Sequence, residues 1–171
     1  MQNRKNLVNA LLVVMGIACI AVLILPWYEL NASSYISGYG SSSLSGGTQM
    51  GFTAAGTSFW GYALYALPVA CIYLGLNKVD LPARSRALLM EFIGLGELLC
   101  LVMLNSSMAD YGTSISGYGY SSSAGYEPIT GWYVALGVYA ITGAVGFIMM
   151  FVAPKEPAQT ENTEPASEQT T

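Results

Sequence analysis

Histidine is missing from all 171 residues, and only 9% of them are charged. Without an imidazole, the many loop serines have no usual general base, and none stands in a GxSxG elbow. A structural zinc site needs histidines or CxxC pairs, and neither occurs. The three cysteines, Cys19, Cys71 and Cys100, lie inside apolar runs. An exported disulfide framework places them in polar loops and in even number, so these three read as small buried packing residues. Redox or lipidation roles are the alternative. Basic residues are scarce too. Up to Ala153 there are five against six acids, and Lys155 with Glu156, Glu161, Glu164 and Glu168 brings the net charge to -4. No basic stripe is available to neutralise phosphates, which excludes nucleic acid as a partner. These absences argue against an enzyme and call for no metal and no cofactor.

A soluble domain carries about 25% charged residues, so most of this chain is expected to face something other than water. Four apolar stretches approach the roughly 20 residues that a helix needs to cross a bilayer. They run from Leu7 to Leu25, Phe59 to Leu76, Ala87 to Leu104 and Trp132 to Val152. The first is longer than a signal-peptide core and ends in Leu25, Pro26, Trp27 and Tyr28 rather than at a cleavage pattern, so it reads as a retained span. From Pro154 on, Glu, Gln, Thr, Ser, Pro and Ala leave nothing large and apolar to bury. A disordered acidic tail over 154–171 is expected, with 1–153 as the membrane domain.

Lysine and arginine fix an orientation. Arg4 and Lys5 precede the first stretch, Lys78, Arg84 and Arg86 separate the second from the third, and Lys155 follows the fourth. The positive-inside rule places all six in the cytoplasm, and with them both termini. The outer loops, 29–58 and 105–130, then lie on the other side of a cell membrane. Trp27, Trp60 and Trp132 fall at that boundary, where amphipathic rings favour the headgroup layer, and they are expected to act as interfacial anchors.

Each outer loop contains ISGYG, at Ile36 to Gly40 and again at Ile115 to Gly119, an offset of 79 residues. Serine clusters follow, Ser41 to Ser43 directly and Ser121 to Ser123 after an additional Tyr120. Duplication of a two-helix half and convergence of two Ser/Gly/Tyr-biased loops both explain the recurrence. Residues alternate at a period of two, which predicts short strands with glycine-induced twist or bulges. In that register Tyr35, Ser37 and Tyr39 share one face, as do Ser116, Tyr118 and Tyr120. Tyr35, Tyr39, Tyr118 and Tyr120 are therefore the candidates for outer-loop contact. ISGYG is no phosphate loop, since it has neither the lysine nor the following helix start.

Glu91 and Glu97 are the polar candidates inside the apolar stretches, and a carboxylate in hydrocarbon marks a functional hypothesis by default. Six residues apart on a helix, they point about 120° apart and form no ready-made pair. Glu91, with Arg84, Arg86 and Lys78 near the same boundary, reads as a snorkelling carboxylate. Glu97 lies near the midplane after Gly94 and Gly96. A hydrogen-bonded structural acid, a proton- or cation-handling group and a contact to a partner subunit are its three readings, with Tyr65, Tyr139, Thr142 and Asn9 as possible donors. Small residues at Gly137, Ala140, Gly143 and Gly146, and at Ala63, Ala66 and Ala70, suit close helix packing.

The arrangement, with a longer first outer loop after Trp27, resembles the four-span claudin topology, although the Gly-Leu-Trp signature and cysteine pair of that loop are absent. The LPW at Leu25 to Trp27, followed by a Ser/Gly/Ile-rich outer segment, is similar to small prokaryotic four-span membrane proteins. The expected architecture is an all-α membrane protein, a four-transmembrane-helix bundle with a small extracellular β element formed by the two ISGYG loops. Its expected role is that of an accessory membrane protein presenting a Ser/Gly/Tyr surface for protein or envelope contact. The bilayer, a second copy and another membrane protein are its expected partners. The alternative is a small transporter or channel component working through Glu97.

Overall fold

Ser, Gly, Thr and Tyr are poor helix formers, and where they dominate this chain the backbone satisfies itself by pairing strands instead. In the computed structural model, which describes residues 2–76 and 81–153, two long hairpins alternate with helices. The order is α1 (Gln2–Ala21), β1 (Pro26–Ile36), β2 (Gly40–Met50), α2 (Gly51–Ala55), α3 (Phe59–Gly75), α4 (Ala83–Asp110), β3 (Thr113–Gly117), β4 (Tyr120–Pro128) and α5 (Thr130–Val152). The strands form one antiparallel sheet in the order β2-β1-β4-β3.

This overturns the all-α expectation. A four-stranded sheet stands beside five helices, so the class is mixed α and β rather than a bundle of four spanning helices. Among the described residues three helices are long and apolar enough to cross a membrane, Asn3–Ile24, Ala83–Asp110 and Thr130–Val152, while Phe59–Gly75 is apolar but shorter. The helix over the third apolar stretch, α4, also outruns its expected limits. Asn105, Ser106 and Ser107 continue it to Asp110, and Ser107 Oγ donates to Met103 O at 3.0 Å, the back-bond that keeps a serine inside a helix. The proposed tail, 154–171, lies outside the described residues, as does Lys78.

Every strand end that adjoins a helix belongs to this one sheet, so the sheet sits at one end of the helices. Helices pair within each half by close backbone approach. Between α1 and α3, a Cβ on Gly75 would lie 2.8 Å from Asn9 O, and Cys71 Sγ donates to Leu12 O at 3.3 Å. Between α4 and α5, a Cβ on Gly94 would lie 2.3 Å from Gly143 N, and one on Gly146 would lie 2.4 Å from Glu91 N. Of the expected small-residue stripes, Gly143 and Gly146 are used in this way. Gly137 meets open space, and Ala66, Ala70 and Ala140 face outward.

The core divides into two levels. Near the sheet, Trp27, Tyr28, Leu64, Leu101, Leu104 and Tyr139 pack together; at the far end, Val8, Leu12, Ala87, Met90 and Met149 do. Outside, the helices present Val14, Ile17, Val69, Phe92, Leu95, Leu99, Ile141, Ile148 and Phe151. The apolar side chains are thus on the outer surface as well as the inner one, the reverse of a water-soluble bundle.

Two bulges shape the first hairpin. One lies in β1 between Pro26 and Tyr28, and the other sets Gly46 and Gly47 of β2 against the stretch from Glu29 to Asn31. The first turns Trp27 inward, where its Nε1 donates to Val22 O at 2.9 Å and its ring fills the space left by Gly51. Trp27 is therefore fully buried and plugs the helix–sheet junction, whereas Trp60 is partly exposed and Trp132 half-buried.

Candidate functional site

ISGYG carries the turn of each hairpin together with strand ends, Ile36 and Gly40 in the first copy and Ile115 to Gly117 in the second. In the first copy Ile36 pairs with Gly40 around Ser37, Gly38 and Tyr39; in the second Gly117 pairs with Tyr120 around Tyr118 and Gly119. Gly38, Gly40 and Gly119 have φ of 88°, 94° and 72°, the left-handed region that tight hairpins demand and that glycine enters without strain. The additional Tyr120 changes the loop length, so one pentapeptide folds as two different turns. Ser37 N donates to Gly119 O at 2.6 Å and ties the two tips together. The inner strands are the first of one hairpin and the second of the other, so the sheet does not repeat the tandem order of the motif.

The four tyrosines are consequently dispersed. Tyr39, 92% exposed, and Tyr118 stand at the tips. Tyr35 and Tyr120 lie on opposite faces, because Tyr35 pairs with Ser121 while Tyr120 pairs with Ile36. Register assigns every other residue as well. One face carries Glu29, Asn31, Ser33, Tyr35, Ser121, Ser123 and Glu127, with serines of β2 and β3 beside them. Its polar groups bond across strands: Asn31 Nδ2 donates to Glu127 Oε2 at 2.8 Å, and Ser33 and Ser123 hydroxyls lie 2.8 Å apart. A groove of about 630 Å³ runs along it between Ser43, Ser45, Ser123 and the Ala109 end of α4. The other face carries Leu30, Ala32, Ile36, Leu44, Ile115, Tyr120 and Tyr126, with Ser34 and Ser42 bonded at 2.7 Å. From Glu29 to the tips no residue of the sheet is buried on either face.

Inside the helices Glu97, at the middle of α4, is 0% exposed and lies between the two core levels. Cys19 Sγ on α1 donates to Glu97 Oε2 at 3.3 Å, and the Thr142 hydroxyl of α5 is 3.4 Å from the same sulfur while donating to Val138 O at 2.9 Å. Glu97 Oε1 and the buried Tyr139 hydroxyl have no hydrogen-bond partner among the described residues. Of the expected donors, Thr142 enters this cluster through Cys19. Tyr65 donates instead to Phe52 O, and Asn9 accepts from Arg86 Nη1 at 2.7 Å. Cys19 is the partner that sequence reasoning passed over. It resembles any core cysteine until α1 is set against α4. Glu91 is half-buried, and its backbone lies against Gly146 of α5. Among the described residues no three His, Cys, Asp or Glu side chains are grouped to hold a metal ion.

The Glu97 cluster makes a graded prediction. Glu97→Gln keeps the volume and an oxygen for the Cys19 thiol, and its amide brings a donor toward the partnerless groups, so thermal unfolding in detergent should shift little. Glu97→Ala leaves a cavity and a thiol without its acceptor, at a cost of about 1–3 kcal/mol. An equal loss in both variants would mean that the carboxylate itself, not its shape, holds the helices.

Comparison with protein-family models gives no match, and comparison with curated proteins gives none either.

Proposed function

We propose that this chain is an integral membrane protein of the accessory, non-enzymatic kind, which holds a free-standing sheet outside the cell membrane as a contact surface. The observation that carries the reading is the contrast between the two ends of the molecule. The helices are apolar on their outer surface, while the sheet they carry is uncovered on both faces and at both tips. Arg4, Lys5, Arg84 and Arg86 cluster at the end of the helices away from the sheet, which by the positive-inside rule turns the sheet outward. An exposed surface of Ser, Gly and Tyr suits adaptable recognition, as in antibody loops, because tyrosine offers large contact area at low entropic cost. An isolated four-stranded sheet without a buried face is marginal in water, which favours a partner that covers it. Crosslinking in native membranes through photoreactive groups placed at Tyr39 and Tyr118 tests this. A discrete adduct from either tip supports it, and recovery of uncrosslinked chain alone from both contradicts it.

Glu97 supports a second reading, a proton- or cation-responsive membrane protein, because its Oε1 is buried without a partner among the described residues. In liposomes, a wild-type flux under a proton, sodium or potassium gradient that is lost in Glu97→Gln would favour this reading. Absence of flux in wild type sinks it.

A further inference from the structure

The less polar face of the sheet is built to receive something. Its large side chains stand at the margins and its small ones in the middle. Leu44 on β2 is 73% exposed and Ile115 on β3 is 65% exposed, while Ala32, Ala124, Ser34 and Ser122 of the inner strands form the floor between them. A depression of about 340 Å³ opens among residues 32–34, 42–44 and Ser122. Nothing among the described residues covers it, and exposed apolar residues at the rim of such a depression mark interaction sites.

We propose that the occupant is the same face of a second copy, packed as a two-layer β-sandwich. Charge selects the face. Across the serine-rich side, two copies would bring together Glu29 and Glu127 of each, whereas the Leu44/Ile115 side has no ionisable carboxylate or cation from Leu30 to its tip. Symmetry selects the mode. The strands run from a buried base at Trp27 and Tyr28 to free tips, so in a membrane they rise away from the helices. Two copies inserted in the same direction are related by an axis along the membrane normal, and rotation about the strand direction sets like faces opposite each other. That rotation lays β2 of one copy over β3 of the other. Register then places Leu44, level with Ala32, Ala124 and Thr113, above the small Thr113–Ala124 pair of the partner. Ile115, level with Ser34, Ser42 and Ser122, comes to lie above Ser34 and Ser42. Leu44 and Ile115 thus each meet small residues, while the same rotation sets Leu30 against Tyr126 at the base and Ile36 against Tyr120 at the tip of the facing copy. Four strands about 4.8 Å apart and rows of about 3.3 Å per residue give a footprint of roughly 450 Å² per copy. Two such faces approach the roughly 1,000 Å² of a specific interface, and confinement to one membrane plane reduces the freedom lost on pairing.

This inference rests on the reading that the sheet stands outside a membrane, and its test separates the two. The native thiols are buried, so Ser33→Cys and Ser34→Cys can be made in the otherwise native chain, with wild type as the unlabelled control. Ser33 and Ser34 are neighbours on opposite faces. On intact cells, a short bis-maleimide is expected to convert Ser34→Cys into a product of twice the 18.1 kDa chain and to leave Ser33→Cys at monomer mass. Adding Leu44→Glu and Ile115→Glu, both at exposed positions, should reduce the doubled product roughly tenfold or more, because unpaired carboxylates would be buried in the contact. The pairing is overturned if both single cysteines take up a monofunctional impermeant maleimide but neither doubles, as when the face rests on lipid. It is equally overturned if Ser33→Cys doubles instead, or if the adduct of Ser34→Cys has another mass and so holds a different protein. If neither site is labelled from outside, the outward-display reading fails as well.

Discussion

Trp27→Ala is expected to lower stability by about 3–5 kcal/mol, the largest effect of any single side chain in the molecule. Trp27 is wholly buried in the core level beneath the sheet and donates from Nε1 to Val22 O, at the point where α1 gives way to β1. Its position in a bulge means that no neighbour can rotate into the gap without breaking the ladder on either side, and Gly51, shaped to the ring, leaves an empty slot. Truncation therefore removes core volume, a hydrogen bond and the joint between helices and sheet together. Thermal unfolding in detergent should fall by roughly 10 °C. Trp60→Ala, at a partly exposed position on α3, should change it by no more than a few degrees. Equal effects at the two sites would return Trp27 to the role of a surface anchor.

Gly94→Ala and Gly146→Ala form the second large effect. A single Cβ at either position meets backbone of the opposite helix, at 2.3 Å from Gly143 N and at 2.4 Å from Glu91 N respectively. Backbone cannot swing aside, so α4 and α5 must separate. Such overpacking costs about 1–3 kcal/mol at each site. The control lies on the same helix. Gly137 has nothing within 4 Å of its missing Cβ, and Gly137→Ala should be neutral or stabilise by up to about 1 kcal/mol through helix propensity. Since Thr142 of α5 lies against Cys19 Sγ, itself bonded to Glu97 of α4, the two damaging variants should also expose Cys19, measurable as faster thiol labelling.

Much of the architecture was legible from hydrophobic run length and from where the charges fall. Helix starts at Phe59 and near Trp132, and the end at Val152, come within two residues of expectation, because apolar composition changes sharply there. The class was not legible. Ser/Gly/Tyr segments read equally as linker and as strand, and only pairing partners far apart in sequence, Tyr28 with Pro128 or Ile36 with Tyr120, turn them into a sheet of this length. Period-two alternation pointed to strands but was carried through Gly38, Gly119 and the residues between, where the backbone reverses and the alternation of faces restarts. Hence Tyr118 and Tyr120, expected side by side, came apart. Glu97 stood out because a carboxylate is rare in an apolar helix. Its partner Cys19 did not, since a buried cysteine has no signature of its own and the contact spans 78 residues. The asymmetry between Trp27 and Trp60 was hidden as well: both sit beside a polar segment, but Trp27 stands in a bulge at the start of β1 and Trp60 on the first turn of α3.

The account depends most on one arrangement, apolar helices within a membrane and both hairpins on its outer side. It is tested by placing one cysteine at a time at Ser43, Ser116 or Asn3 and adding a membrane-impermeant maleimide to intact cells. Ser43→Cys and Ser116→Cys, one in each hairpin and both on the serine-rich face, are expected to label at once, and Asn3→Cys only after the membrane is opened. Labelling of Asn3→Cys on intact cells, or of only one of the two hairpins, would contradict it.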